Sequence, residues 1–148
     1  MATNEEVSLN EPHAPKPLAI EAFQVVEPKI KQEIVRSRHD WDKHEPRMWA
    51  AVKHLSDQEL TAFDVSKDLV VVRSAVVSYG TIILGKIRIP ALDDGYVHVR
   101  IHDPPNRGTE DISFHSLFTD EGPVEKNDRH TRWNAIQKLD TPLEFFNE

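Results

Sequence analysis

Hydrophobic and polar residues alternate with the two-residue period of β-strands through the second half of the chain. Runs rich in valine and isoleucine are separated by turn residues at intervals of about ten residues. The runs are LVVVRSAVVSYG, TIILGKIRIP, YVHVRIH and ISFHSLF. This spacing predicts an antiparallel meander of about four to five strands.

The first half of the chain has the longer period that is typical of helices. Apolar residues after Pro28 are spaced for one helical face, so Pro28 is expected to begin a helix. Residues 18–26 form a short apolar stretch that fits either a strand or a helix. Pro46 is expected to begin a second helix with an apolar stripe. Ser56 and Glu59 form a capping-box pattern, which predicts a third, short helix.

Helices followed by strands are the signature of the α+β class. We therefore predict N-terminal helices packed on one face of a curved antiparallel sheet, cone-like or half-barrel-like in shape, and leave open which face they cover. Residues 1–17 contain several prolines and are expected to form a disordered tail, followed by a single globular α+β domain over residues 18–148. Residues 130–139 fit a strand or a helix, and Pro142 is expected to begin a last helix.

Charge and composition exclude several classes of function. The chain of 148 residues has 18 Lys and Arg against 25 Asp and Glu, a net charge of −7 that argues against a nucleic-acid partner. It contains no cysteine, which excludes disulfides, thiolate nucleophiles and zinc held by cysteine. The N-terminus lacks the apolar core of a signal peptide, and no apolar run is long enough to span a membrane. A cytoplasmic protein without a membrane partner is therefore expected.

One strand carries an unusual row of polar side chains. In YVHVRIH, the side chains of Tyr96, His98, Arg100 and His102 share one face, while valine and isoleucine occupy the other. A three-residue loop that ends at Gly95 would pair this strand with the preceding one, apolar face against apolar face. The polar row would then lie on the opposite face of the same hairpin.

That hairpin register predicts which side chains lie opposite one another. Ile89 would pair with Val99, and Arg88 would then face Arg100 across the two strands. Like charges in directly opposite positions destabilise a sheet, so a compensating partner is expected near the arginines. The alternatives are a small organic anion, a carboxylate of the same chain, or water around arginines that point outwards.

The anion alternative defines a candidate site. A histidine can exchange a proton near neutral pH, and an arginine can stabilise a developing oxyanion. The candidate catalytic residues are His98 and His115. The candidate ligand-binding residues are Arg88, Arg100, His102, Trp49 and Trp133.

A metal site is not expected, although the chain has eight histidines. His98 and His102 are four residues apart on one strand, hence about 13 Å apart and too distant to share an ion. Arg100 lies between them and would repel a cation. No phosphate-binding loop or other cofactor motif is present, so no cofactor is expected either.

Two functions of different classes fit these observations. The first is a small-molecule-binding domain with a pocket between the helices and the curved sheet. Its residues would also suit a cofactor-free isomerase or cyclase that uses histidine acid–base chemistry and arginine to stabilise an anion. The alternative is a non-enzymatic interaction or homo-oligomeric assembly module, such as a homodimer. This alternative follows from the missing catalytic motif, the three tryptophans and the β-branched run LVVVRSAVVSYG.

Overall fold

Four antiparallel strands form one sheet, and their alternating residues define its two faces. The computed structural model describes residues 9–78, 80–104, 112–119 and 134–146. The strands are β1 (Leu69–Val77), β2 (Gly80–Arg88), β3 (Tyr96–Asp103) and β4 (Ser113–Leu117), in the spatial order β1-β2-β3-β4. The predicted meander is confirmed, and in the described chain the sheet is open, with β1 and β4 at its two edges.

The helices precede the sheet, as expected for the α+β class. They are α1 (Pro17–His44), a 3₁₀ helix (Pro46–Val52), α2 (Asp57–Leu60) and α3 (Val65–Asp68). The capping box before α2 is confirmed: Ser56 Oγ accepts from the Glu59 amide at 3.1 Å, and the Ser56 amide donates to Glu59 Oε1 at 3.0 Å. None of the helices among the described residues is long and apolar enough to cross a membrane.

The prediction that Pro28 begins a helix is wrong. Helix α1 begins at Pro17 and continues through Pro28 for 28 residues, so residues 18–26 are helical. Phe23 and Val26 before the proline and Ile30 after it are all buried against the same core. A proline inside a helix removes one backbone hydrogen bond, and here the packing of this continuous apolar face outweighs that loss.

The helices cover the apolar face of the sheet, which we call the front face. Its side chains include Ile87 from β2 and Val97, Val99 and Ile101 from β3, all fully buried. Gly85 lets α1 approach closely, because a Cβ there would lie 2.5 Å from the ring of Phe23. The predicted α+β class, with N-terminal helices on one sheet face, is therefore confirmed.

The predicted register of the β2–β3 hairpin is wrong. Val99 lies opposite Gly85 instead of Ile89, a shift of four residues, and Arg88 lies opposite Tyr96 instead of Arg100. The loop is correspondingly longer and is closed by a 2.8 Å hydrogen bond from the Ile89 amide to the Gly95 carbonyl. An even shift keeps every side chain on its own face, so alternation alone does not separate the two registers.

The polar row of β3 lies on the other face of the sheet, the back face. Residues 134–146, which we call the C-terminal segment, begin in the main core with Ala135 and Ile136 and then run across this face. Tyr96 and Gln137 exchange two backbone hydrogen bonds of 2.8 and 2.7 Å, and Leu143 and Phe146 pack on Ile82 and Leu84. The helix predicted from Pro142 is wrong, because the described residues after it are not helical.

The start of the chain also contacts the sheet. His13 pairs with Val72 through backbone hydrogen bonds of 3.1 and 2.9 Å, and the Asn10 amide donates to the Ser74 carbonyl at 2.9 Å. Part of the tail predicted to be disordered thus follows the edge strand β1. The first eight residues lie outside the described part of the chain.

Candidate functional site: a cavity on the back face of the sheet

The centre of the polar row is buried under the C-terminal segment. Lys86 from β2 and His98 and Arg100 from β3 are exposed by only 2%, 1% and 3%, respectively. They lie on the face away from the helices, so these three side chains neither meet water nor point into the space between helices and sheet. A buried cation is tolerated only where hydrogen bonds replace its water.

Lys86 donates all its hydrogen bonds to the main chain of the C-terminal segment. Its Nζ lies 2.8, 2.7 and 2.6 Å from the carbonyl oxygens of Lys138, Leu139 and Thr141. It also lies 5.6 Å from the centre of the Tyr96 ring, within the range of a cation–π contact. Burial lowers the pKa of the Lys86 ammonium. Its three donors have three carbonyl acceptors, which leaves none for a ligand.

Two arginines contact the same segment. Arg100 Nη1 donates to the Phe146 carbonyl at 2.9 Å, and its guanidinium lies 4.9 Å from the centre of the Phe145 ring. Arg73 Nη1 donates to the Leu143 carbonyl at 2.7 Å. Three cations of the sheet therefore bind carbonyl oxygens of the chain itself. One of the expected alternatives was a carboxylate of the same chain beside the arginines, and at Arg100 a backbone carbonyl of the same chain takes that place.

His98 differs from its charged neighbours. Its ring stacks on Phe118 with centroids 6.0 Å apart, and its Nε2 is buried without a hydrogen-bond partner among the described residues. Burial and the charge of Lys86, which lies directly opposite on β2, lower the pKa of His98 to about 3. The ring is therefore neutral at physiological pH and carries one N–H donor and one acceptor.

A cavity of about 360 Å³ lies beside His98, between the back face of the sheet and the C-terminal segment. This volume is at the lower end of the range for small-molecule sites, which is about 300–1,000 Å³. Two aromatic rings, a proline, the imidazole and a few polar side chains surround it. The lining residues are His98, Phe118, Gln137, Thr141, Pro142, Glu144 and Phe145.

The other candidate residues from the sequence lie elsewhere. Arg88 is 45% exposed in its side chain and lies 3.7 Å from Asp68. Trp49 is buried in the front core, and its indole N–H donates to Ser37 Oγ at 3.3 Å. Neither residue reaches the cavity at His98, so the structure does not bring them together with Arg100. Trp133 lies outside the described residues.

His102 and His115 form a separate pair. Their rings stack with centroids 5.2 Å apart and planes 5° from parallel. A register shift between Arg100 and Ile101 brings His115 into this position on β4. His115 also lines an open groove of about 380 Å³ between α1 and β4, together with Trp41 and residues of both elements. That groove lies between a helix and the sheet, where the sequence predicts a pocket. His98 and Arg100 do not contribute to it, because they lie on the back face of the sheet.

Sequence reasoning missed Lys86 and the C-terminal segment as parts of the site. Lys86 follows Ile82 and Leu84 at two-residue intervals on β2, so its side chain lies on the same face as theirs. A lysine in line with two apolar residues on a strand is the signal that could have identified it as buried. Its partners are backbone carbonyls, which no pattern of side chains reveals. Phe145 and Gln137 belong to a segment without regular periodicity, so only the fold places them beside His98.

In the described parts of the chain, no group of three or more histidine, aspartate or glutamate side chains is arranged to hold a metal ion. Comparisons with protein families, curated proteins and solved structures gave no match to this chain. Its function is therefore inferred from its own residues.

Proposed function

We propose that this chain is a small-molecule-binding protein whose ligand occupies the cavity beside His98. The observation that carries the proposal is His98, which lines a cavity of about 360 Å³ and whose Nε2 is buried without a partner among the described residues. A buried polar atom without a partner costs about 1–3 kcal/mol. A ligand that supplies a hydrogen bond to Nε2 would recover this free energy on binding.

The lining supports an uncharged ligand with an aromatic or apolar body and one hydrogen-bonding group. Phe118 and Phe145 offer ring faces, and neutral His98 offers the hydrogen bond. An anion is less favoured than the sequence suggested, because Lys86 already donates to three carbonyls of the chain and, among the described residues, neither Lys86 nor Arg100 lines the cavity. The carboxylate of Glu144 on the wall would also repel an anion.

Binding is favoured over catalysis by the titration of His98. A general acid or base works best when its pKa lies near the operating pH. The pKa of His98, at about 3, lies several units below neutrality, so the ring is a poor base there. A fixed neutral hydrogen-bonding group instead gives a ligand its orientation, which is the usual role of a polar group in an apolar pocket.

Amide NMR titration with phenol tests this proposal, with benzoate as the charged counterpart of similar shape. We expect phenol to bind with millimolar or better affinity and to shift the amides of residues 98, 118 and 141, while benzoate binds at least about tenfold more weakly. His98→Leu should weaken phenol binding by about tenfold, because it removes one hydrogen bond of about 1.4 kcal/mol.

His98→Gln is the matched control, since an amide retains a donor and an acceptor at this position. It should bind phenol more tightly than His98→Leu does. If phenol shifts none of these amides, or binds the His98→Leu protein as well as the wild type, the cavity is not the site of a ligand of this class.

The alternative of an assembly module has weaker support. Among the described residues, the four exposed large apolar side chains are spread over three elements: Leu18 and Val25 on α1, Val76 on β1 and Leu139 on the C-terminal segment. Single exposed apolar side chains are normal on a protein surface. A homodimer stays a prediction, which sedimentation velocity at several protein concentrations would test.

A further inference from the structure

The C-terminal segment forms most of the described wall of the cavity. Only His98 and Phe118 come from the sheet side, and the remaining lining residues belong to the segment: Gln137, Thr141, Pro142, Glu144 and Phe145. The cavity thus exists only while the segment lies on the back face. Any movement of the segment changes the volume and the lining that a ligand meets.

Cations of the sheet hold this segment mainly through its backbone. Lys86 binds the carbonyls of residues 138, 139 and 141, Arg73 binds that of Leu143, and Arg100 binds that of Phe146. The Lys86 contacts lie at the start of the span that lines the cavity, and the Arg100 contact lies at its end. The Lys86 and Arg100 anchors thus flank most of the part of the segment that a ligand would touch, and the Arg73 anchor lies within it.

Two apolar side chains of the segment, Leu143 and Phe146, are buried on the back face. They join Ile82 and Leu84 in a small cluster that is separate from the main core between helices and sheet, and five partly buried side chains pack on it: Leu9, Val71, Val77, Phe118 and Phe145. Segments with few buried apolar contacts open locally with a lower free energy than the global unfolding of the protein. The charged hydrogen bonds therefore contribute a large share of what holds the segment closed.

We propose that residues 138–146 are a releasable wall of the cavity, that Lys86 is the latch that closes it, and that bound ligand holds it shut. The proposed local opening of the segment follows from its cation anchors and its small apolar cluster, independently of any ligand. The proposed effect of a bound ligand on this opening rests on the function proposed above. Lys86 is a positioning residue in this scheme, because it contacts the segment and not the ligand.

Thiol labelling tests the proposal directly, since the chain has no cysteine of its own. A Leu143→Cys variant reports opening of the segment, because Leu143 belongs to the segment and its side chain is buried against the back face of the sheet. An Ala22→Cys variant reports global unfolding, because Ala22 is buried in the main core on α1. Both react with N-ethylmaleimide in proportion to the population in which the cysteine is exposed.

We expect the Leu143→Cys protein to react at least about tenfold faster than the Ala22→Cys protein, since local opening is easier than global unfolding. Adding Lys86→Met should accelerate the reaction at position 143 by about 10- to 100-fold, and by much less at position 22. Saturating phenol should slow the reaction at position 143 in the protein that retains Lys86.

Equal reaction rates at positions 143 and 22 would overturn the proposal, because the segment would then open only when the whole protein unfolds. An equal acceleration at both positions by Lys86→Met would also overturn the latch. If phenol binds by NMR but leaves the rate at position 143 unchanged, the gating role is wrong. If phenol does not bind but position 143 opens locally and depends on Lys86, the latch stands and the proposed function fails.

Discussion

His98 shows at the scale of one residue how surroundings fix chemistry. A histidine on a half-exposed strand would titrate near neutrality and could carry a charge. Here burial and the ammonium of Lys86 both disfavour the protonated ring, and they lower its pKa to about 3. The same alternation that suggested a polar surface thus yields a neutral, buried hydrogen-bonding group.

The titration of His98 predicts a loss of stability in weak acid. The unfolded chain binds a proton at this ring below about pH 6.5, whereas the folded protein binds it only near pH 3, so unfolding takes up a proton between these values. The free energy of unfolding is therefore unaffected by this proton above about pH 6.5 and decreases as the pH falls below that value. We expect the free energy of unfolding, measured by urea titration, to fall by about 1–2 kcal/mol between about pH 6.5 and 5.

His98→Gln is the control for this measurement, because it removes the titrating ring from both states. Carboxyl groups with lowered pKa values, such as Asp57 and Glu59, lose their stabilising effect only at lower pH, below about 4.5. The difference in slope between wild type and variant therefore isolates His98. Parallel slopes for the two proteins would contradict a buried neutral histidine.

Helix α1 shows at the scale of an element how tertiary packing overrides a local signal. Pro28 is exposed, but it lies inside the helix, where the ring removes a backbone hydrogen bond and crowds the preceding turn. The helix persists because its apolar face is continuous across the proline and packs on the sheet. Glu27, the residue before it, also accepts a hydrogen bond from the Val65 amide at 2.7 Å.

Replacing this proline should stabilise the protein. In Pro28→Ala the missing hydrogen bond can form, and the exposed position leaves the core unchanged. We expect the free energy of unfolding to rise by about 1–3 kcal/mol, with a higher melting temperature in calorimetry. Lys29→Ala, at the adjacent exposed position, should change it by no more than about 0.5 kcal/mol. A lower melting temperature for Pro28→Ala would indicate that α1 needs a kink there to follow the sheet.

The whole molecule is a sheet with a different cover on each face. The helices cover the front face through a large apolar core, and the C-terminal segment covers the back face through a small apolar cluster and three cations. The two covers are held to the sheet by different interactions. The helices are held mainly by buried apolar surface, and the C-terminal segment is held in large part by hydrogen bonds from charged side chains. The cavity lies under the second cover, the C-terminal segment.

Two leucines of the segment provide a matched test of this arrangement. Leu143 is 3% exposed and packs on the back face, whereas Leu139 is 57% exposed. Leu143→Ala should lower the free energy of unfolding by about 2–4 kcal/mol through loss of buried area and the cavity left behind. Leu139→Ala should change it by no more than about 0.5 kcal/mol. Similar values for both variants would mean that the segment adds little to global stability.

The α+β class, the strands and the capping box at Ser56 could be predicted from the sequence because each is a local or periodic property. The hairpin register could not, since a shift of four residues leaves both faces of β2 and β3 unchanged. The packing of Leu92 against Gly95 and of Phe23 over Gly85 accompanies the register that forms, and both contacts depend on the fold.

The sequence by itself determined the order of helices and strands and the absence of thiol chemistry. It also determined the two-residue alternation that places valine and isoleucine on one face of the sheet and the polar row on the other. Tertiary structure decided what covers the row. The partners of Lys86 and Arg100 are backbone carbonyls of a segment 46 to 55 residues further along the chain. Every residue carries such a carbonyl, so only the path of the folded chain selects which ones meet a buried cation, and where a cavity is left beside His98.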